Sequence, residues 1–192
     1  MSAPRAAGAP AVLRVRVGRA LEMFNTLDPY PFGERDLDPA AEDYLVAWVK
    51  DEPRGKPLRI DILVPPDEAA GPEAQALPGA VRHHFAARAS AAGRELRESL
   101  RIGRIALMIG LPILGLSLLG AKALNAADDR HGFLSVLAEG LVIAGWVANW
   151  RPIEIFLYDW WPILRRQRRF ERLARADIAV VADSPAGLTI SP

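Results

Sequence analysis

Two long apolar runs, residues 105–121 and 132–150, separated by a short polar stretch, dominate the pattern of hydrophobic and polar positions. The first holds 17 residues without a charge, and Lys122 follows it where its ammonium can reach out to water. The second holds 19 residues with one ionisable group, Glu139, while Trp146, Trp150, Trp160 and Trp161 gather towards and beyond its end. At about 1.5 Å of rise per residue, each run crosses most of a hydrocarbon layer about 30 Å thick. Tryptophan at the close of an apolar run suits the headgroup level. The pattern predicts membrane-spanning helices over 105–124 and 132–150, joined by an external loop over 125–131.

Shorter patterns flank this hairpin. Residues 12–17 alternate, with Leu13, Val15 and Val17 on one face and Arg14 and Arg16 on the other, which is the period of a half-buried strand. Leu58, Ile60, Ile62 and Val64 alternate in the same way between Pro57 and Pro65. Between these strands, Asp38 suits a helix N-cap and Pro39 a first helical position, and Pro53 stops the helix near Asp51. Residues 65–78 are rich in Pro, Ala and Glu and read as a linker. From Gly79 a helix runs to the first span, with Val81, Phe85, Ala89, Ala92, Leu96 and Leu100 on one side. After the hairpin, Pro152 and Pro162 are expected to bend or interrupt the helix and lay 151–162 along the membrane interface. A basic helix over 163–175 and strands over 178–182 and 188–190 follow, while 1–11 is an Ala/Pro/Gly tail read as disordered. The expected fold is therefore an α+β membrane protein: a transmembrane helical hairpin with a small cytoplasmic α+β domain built from both termini. Residues 12–77 form its β-α-β region, 78–104 a basic juxtamembrane helix, and 163–192 the basic helix with the closing strands.

Charge fixes the expected orientation. The net charge of +1 hides an asymmetry, because residues 21–73 carry 5 basic and 13 acidic side chains, 5 − 13 = −8. Arg82, Arg88, Arg94, Arg97, Arg101 and Arg104 precede the first run, and Arg165, Arg166, Arg168, Arg169, Arg172 and Arg175 follow the second. The connecting stretch has only Lys122 and Arg130 against Asp128 and Asp129. By the positive-inside rule both termini are cytoplasmic and the loop external. The first run long enough to direct insertion begins about a hundred residues in, so it serves as an internal signal anchor rather than a cleaved leader. The absence of cysteine excludes disulfides, thiolate metal sites and a cysteine nucleophile.

The segments Asp28-Pro-Tyr-Pro-Phe-Gly-Glu-Arg-Asp-Leu-Asp38, with Ala41-Glu-Asp-Tyr44 after it, and Arg151-Pro-Ile-Glu-Ile-Phe-Leu-Tyr-Asp-Trp-Trp-Pro162 resemble those of an uncharacterised bacterial inner-membrane protein family with two transmembrane helices. The similarity extends over most of the chain from Leu13 onwards. It implies the bacterial inner membrane and no particular activity.

Among residues that carry chemistry, Glu139 comes first, because a carboxylate in an apolar run is costly and marks a functional or pairing role. It lies about two turns into its run, within reach of the outer interface or of a neighbouring helix. The acidic set Glu34, Asp36 and Asp38 has the ligand type of a hard-cation site, but its spacing fits no calcium or magnesium loop, and capping with solvation accounts for it better. His83 and His84 are adjacent, about 100° apart on a helix, which suits an interface rather than one metal. Small residues recur as Gly103, Gly110 and Ser117 on the first span and as Gly140, Ala144 and Ala148 on the second, faces that let helices approach within the hairpin or against another protein. Arg97, Arg101, Arg104, Arg165, Arg166, Arg168 and Arg169 are placed to meet anionic lipids or an acidic partner. With no phosphate-binding loop or nucleophile elbow and no aromatic interleaving of the arginines, neither catalysis, nor a metal or other cofactor, nor nucleic acid is expected. The expected role is that of a non-enzymatic anchor, assembly or regulatory subunit of a larger membrane complex, in contact with lipids and with other membrane proteins or itself. The alternative is a small oligomeric transporter or channel subunit centred on Glu139, and a membrane-bound enzyme using Asp28, Glu34, Asp36 or Asp38 stands third.

Overall fold

The computed structural model describes residues 9–25, 28–29, 31, 35–127 and 132–183. The tail before residue 9, Glu34, most of the expected external loop and the expected strand over 188–190 lie outside the described residues. In chain order the elements are β1 (Ala11–Arg16), a 3-10 turn (Ala20–Met23), α1 (Pro39–Asp51), β2 (Leu58–Val64), α2 (Pro66–Ala69), α3 (Pro72–Ala127), α4 (Phe133–Ala148), α5 (Trp150–Glu154), a π-helical turn (Ile155–Asp159), α6 (Trp160–Ala174) and β3 (Asp177–Ala182). The chain is mostly helical and divides into two compact units, residues 1–91 with 166–192, and residues 92–165.

The first unit is built from both ends of the chain around a three-stranded parallel sheet with β2 in the centre. Leu13 pairs with Ile60, and Ile60 with Ile178, so the alternation in each strand puts an apolar row on one face. Ile60, Ile62 and Val64 are wholly buried, together with Leu45 and Val49 of α1, Leu77, Val81 and Phe85 of α3 and Leu173 of α6. Helix α1 begins as its sequence dictates: Asp38 accepts from the Ala40 N–H at 2.9 Å and Pro39 occupies the first helical position. At its other end, Arg172 donates to the carbonyls of Val49, Glu52 and Pro53 at 3.3, 3.3 and 3.0 Å.

One expectation needs correction here. Residues 65–78 are not a linker: α2 and the start of α3 occupy them, because Ala74, Leu77, Ala80 and Val81 carry the buried stripe back from Phe85 at helical spacing. After the hairpin the helix is broken at Asn149 and widened over Ile155–Asp159. Helix α4 ends at Ala148 and Asn149 takes a turn conformation, so Pro152 falls in the first turn of α5, where a missing N–H costs nothing. The π-helical turn then widens the backbone just ahead of Pro162, and the Phe156 carbonyl accepts the indole N–H of Trp160 at 2.8 Å.

The second unit is a helical hairpin formed by the later part of α3 and by α4 through the start of α6. Two of its helices are long and apolar enough to cross a membrane, and only 11% and 17% of their apolar windows are buried. Met108 and Leu116 on α3 are each 70% exposed, and Phe133 and Trp150 are 79% and 69% exposed. A soluble core helix would bury such a window.

Candidate functional site

Within the hairpin, close packing follows from small side chains. Gly103, Gly110, Ser117 and Ala121 of α3 are buried, as are Ala138 and Gly145 of α4. A Cβ on Gly145 would come within 2.9 Å of the Ser117 Cβ, and one on Gly103 within 2.8 Å of the Ile155 Cγ2. Of the expected packing residues on the second helix, Gly140 and Ala144 are exposed and Ala148 is half-buried, so Gly140 and Ala144 do not make the contact within the hairpin. The hairpin face of α4 is instead one step round the helix, through Ala138, Gly145 and Asn149.

Asn149 is the residue that sequence reasoning missed. Its side-chain amide donates to the Gly110 carbonyl at 2.9 Å and to the Gly145 carbonyl at 3.0 Å, tying α3 to the end of α4. The residue is 4% exposed, and its Oδ1, buried without a hydrogen-bond partner, faces the spot where a Cβ on Gly110 would sit 2.8 Å away. The available signal was a carboxamide in the last turn of an apolar run, overshadowed by the charge of Glu139. That carboxylate lies exposed on the outer side of α4, away from the hairpin contact, with no partner among the described residues.

At the arginine-rich end of the hairpin, α3 and the π-helical turn enclose a groove of about 730 Å³. Glu95, Glu98 and Ser99 form one wall, and Arg151, Tyr158 and Asp159 the other. Arg151 Nη1 lies 2.9 Å from Glu154 and 3.6 Å from Asp159, so the guanidinium is held in place. Of the expected lipid-facing arginines, Arg97, Arg101, Arg104 and Arg165 belong to this unit. Arg97 donates to the Gly93 carbonyl, Arg101 lies 3.6 Å from Glu98, and Arg165 stacks over the Trp161 ring at 4.6 Å. Arg104 and Arg165 have no carboxylate partner among the described residues; of those in the first unit, Arg166 and Arg168 are exposed and Arg169 is half-buried.

The first unit holds a separate polar network. His84 is buried, with Nε2 at 2.9 Å from Glu42 and Nδ1 at 3.1 Å from Asp36; the Leu37 N–H also approaches Nδ1 at 3.3 Å. Arg88 grips the other Glu42 oxygen with two donors at 2.9 and 2.7 Å. These bonds pin α1 and residues 35–37 to α3. Of the expected acidic residues and histidines, Asp36 and His84 therefore meet, while His83 is exposed and Asp38 caps α1. Among the described residues, no group of three His, Cys, Asp or Glu is placed to hold a metal.

Among the described residues, one face of the sheet is left open. On it Asp61 of β2 meets Arg59 at 2.8 Å and Arg14 of β1 at 3.9 Å, and Arg59 reaches Asp177 of β3 at 3.8 Å. The hydrogen bond to Asp61, helped by its charge, raises the Arg59 guanidinium above its ordinary pKa. Val12 and Val181 on the same face are 48% and 39% exposed. Compared with known proteins, the chain matches no family model, no curated protein and no solved structure.

Proposed function

We propose that this chain is a two-span protein of the bacterial inner membrane, with both termini cytoplasmic, that anchors, assembles or regulates a larger membrane complex without catalysing a reaction. The exposed apolar flanks of the hairpin support the membrane placement, and the arginines at one end support the orientation. The observation that carries the binding role is the open face of the sheet. Parallel sheets are ordinarily covered on both sides, yet here Val12, Arg14, Arg16, Arg59 and Val181 stand uncovered. A partner protein that supplies the missing layer accounts for it.

Purification from native membranes in a mild detergent, with mass spectrometry and particle size on the same sample, tests this. Foreign subunits in fixed stoichiometry are expected, and Arg14→Glu combined with Val12→Glu should remove them while the chain stays in the membrane fraction. A pure homo-oligomer indifferent to these substitutions would sink the proposal.

A transporter or channel subunit is the second reading, favoured by the outward position of Glu139 on α4. In a bilayer that carboxylate is left for a neighbouring chain or a permeating cation to satisfy, and two helices alone enclose no pathway. Glu139→Gln should then abolish a proton or cation flux in proteoliposomes with folding intact; unchanged flux removes Glu139 from consideration.

A further inference from the structure

We infer that the layer missing from the open face of the sheet is an amphipathic helix of a partner protein, about 13 residues long, whose acidic flank lies along the arginines of β1. The inference rests on the reading of that face given above and names what covers it. Across the strands the face reads Val12, Arg59 and Asp177, then Arg14, Asp61 and Ala179, then Arg16, Leu63 and Val181. The row on β1 is basic at Arg14 and Arg16. Apolar groups gather towards the ends of β2 and β3, where Leu63 and Ala179 are half-buried and Val181 is exposed.

Each of the arginines already meets a carboxylate, and the two members of each pair are unequally exposed. Arg14 lies 3.9 Å from Asp61, Arg16 2.8 Å from Asp183, and Arg19, just past β1, 3.4 Å from Glu68. The three arginine side chains are 71–75% exposed, their carboxylate partners only 12–29%. The formal charges balance, yet an approaching surface meets guanidinium along β1. Asp61 is shared with Arg59, which takes the 2.8 Å hydrogen bond and leaves Arg14 the looser contact. Exposed pairs of this kind are weak, and a guanidinium has five N–H donors, so a second carboxylate is added at little cost.

The dimensions select a helix. Three strands about 4.8 Å apart make a strip about 10 Å wide, and the six residues of β1 run for about 20 Å at about 3.3 Å each. One helix about 10 Å across and about 13 residues long has that footprint, and helices are what cover the faces of parallel sheets. Arg14 and Arg16 are about 6.6 Å apart along the strand, close to the rise of about 6 Å between helical residues four apart. An apolar stripe beside such carboxylates covers Leu63, Ala179 and Val181. A nucleic-acid backbone supplies the charge but nothing for these apolar groups, and Asp177 on the same face is 69% exposed and repels it. Residues 1–8 and 184–192 of this chain contain no acidic side chain to match the arginines.

The test uses the full chain purified with its partners from native membranes. Arg14→Lys and Arg16→Lys each keep the charge and supply an amine, which a carbodiimide joins to a carboxylate in direct contact. Links to Asp61 or Asp183 of the same chain report that the coupling has worked. Links to a foreign subunit are expected beside them, from the two positions to carboxylates three or four residues apart in one segment. Arg14→Gln with Arg16→Gln should lower recovery of that subunit about tenfold or more, the loss expected for a hydrogen bond between charged groups. Arg14→Lys with Arg16→Lys should keep most of it. Four results overturn the inference: links confined to this chain's own carboxylates, linked carboxylates two residues apart as in an added strand, full recovery with the glutamine pair, or release of the subunit by nuclease. In each of these the open-face reading stands if Val12→Glu with Arg14→Glu still removes the subunit. Absence of any foreign subunit overturns both.

Discussion

Gly110→Leu is expected to destabilise the hairpin by about 3 kcal/mol or more. Overpacking alone costs about 1–3 kcal/mol, and here the new side chain also meets the tie between the helices. Its Cβ would lie 2.8 Å from Asn149 Oδ1 and 3.1 Å from the Ala148 carbonyl, with Ala148 backbone that cannot swing aside. Displacing Asn149 breaks its bonds to Gly110 and Gly145, each worth about 1 kcal/mol, and exposes an amide to the apolar interior. Gly115 supplies the comparison, because nothing lies within 4 Å of a Cβ built there. Gly115→Leu should be neutral or slightly stabilising, by up to about 1 kcal/mol from helix propensity. The measurement is thermal denaturation of both variants in one detergent, with disulfide cross-linking of cysteines introduced on α3 and α4 as a reading of their approach. If the two leucine variants melt together and cross-link alike, the tight crossing is not what holds the hairpin.

The comparison of Gly110 with Gly140 shows what a sequence can and cannot disclose. The first helix has one run of small residues at heptad spacing, Gly103, Gly110 and Ser117, and it is buried. The second has two competing stripes. Gly140, Ala144 and Ala148 make the stronger pattern by composition, yet Ala138 and Gly145 face α3. What decides between them is the reach of Asn149 to a carbonyl 39 residues away, a contact that no local period encodes. The strands were legible because alternation between Pro57 and Pro65 admits one register of faces, and the start of α1 because Asp38 and Pro39 act on their own neighbours. The start of α3 was obscured for the opposite reason: proline content at 65–78 masked a stripe whose meaning depends on a sheet formed by distant residues. The prolines after the hairpin marked an irregular stretch without disclosing its form, since Pro152 depends on where Asn149 ends the preceding helix and Pro162 on a π-helical turn. The polar groove at Arg151 had no sequence signature, because its walls come from segments about fifty residues apart.

Phe85→Ala is expected to cost the sheet-containing unit about 3–5 kcal/mol, the range for emptying a buried phenylalanine site. Phe85 is fully buried, stacks on Phe170 of α6 with ring centroids 6.2 Å apart, and meets the edge of His84 at 5.3 Å. It therefore joins the chain before the hairpin to the chain after it, and the cavity adjoins the bonds from His84 to Glu42 and Asp36. Phe170→Ala should cost a similar amount, and the double substitution should fall short of the sum by about 0.5–1.5 kcal/mol, the coupling of an aromatic pair. Tyr44→Ala, at a position 55% exposed, serves as the neutral control. Denaturant unfolding followed by tryptophan fluorescence, which senses Trp48 on α1 in this unit, gives the numbers. The functional consequence is separable from the hairpin. Helix α6 leads directly into β3, so loosening it frees an edge of the sheet and should lower recovery of any partner held on the open face. Flotation with vesicles should be unaffected, because the apolar runs insert without the sheet. Loss of flotation together with partner binding would instead mean that the two units fold as one cooperative whole.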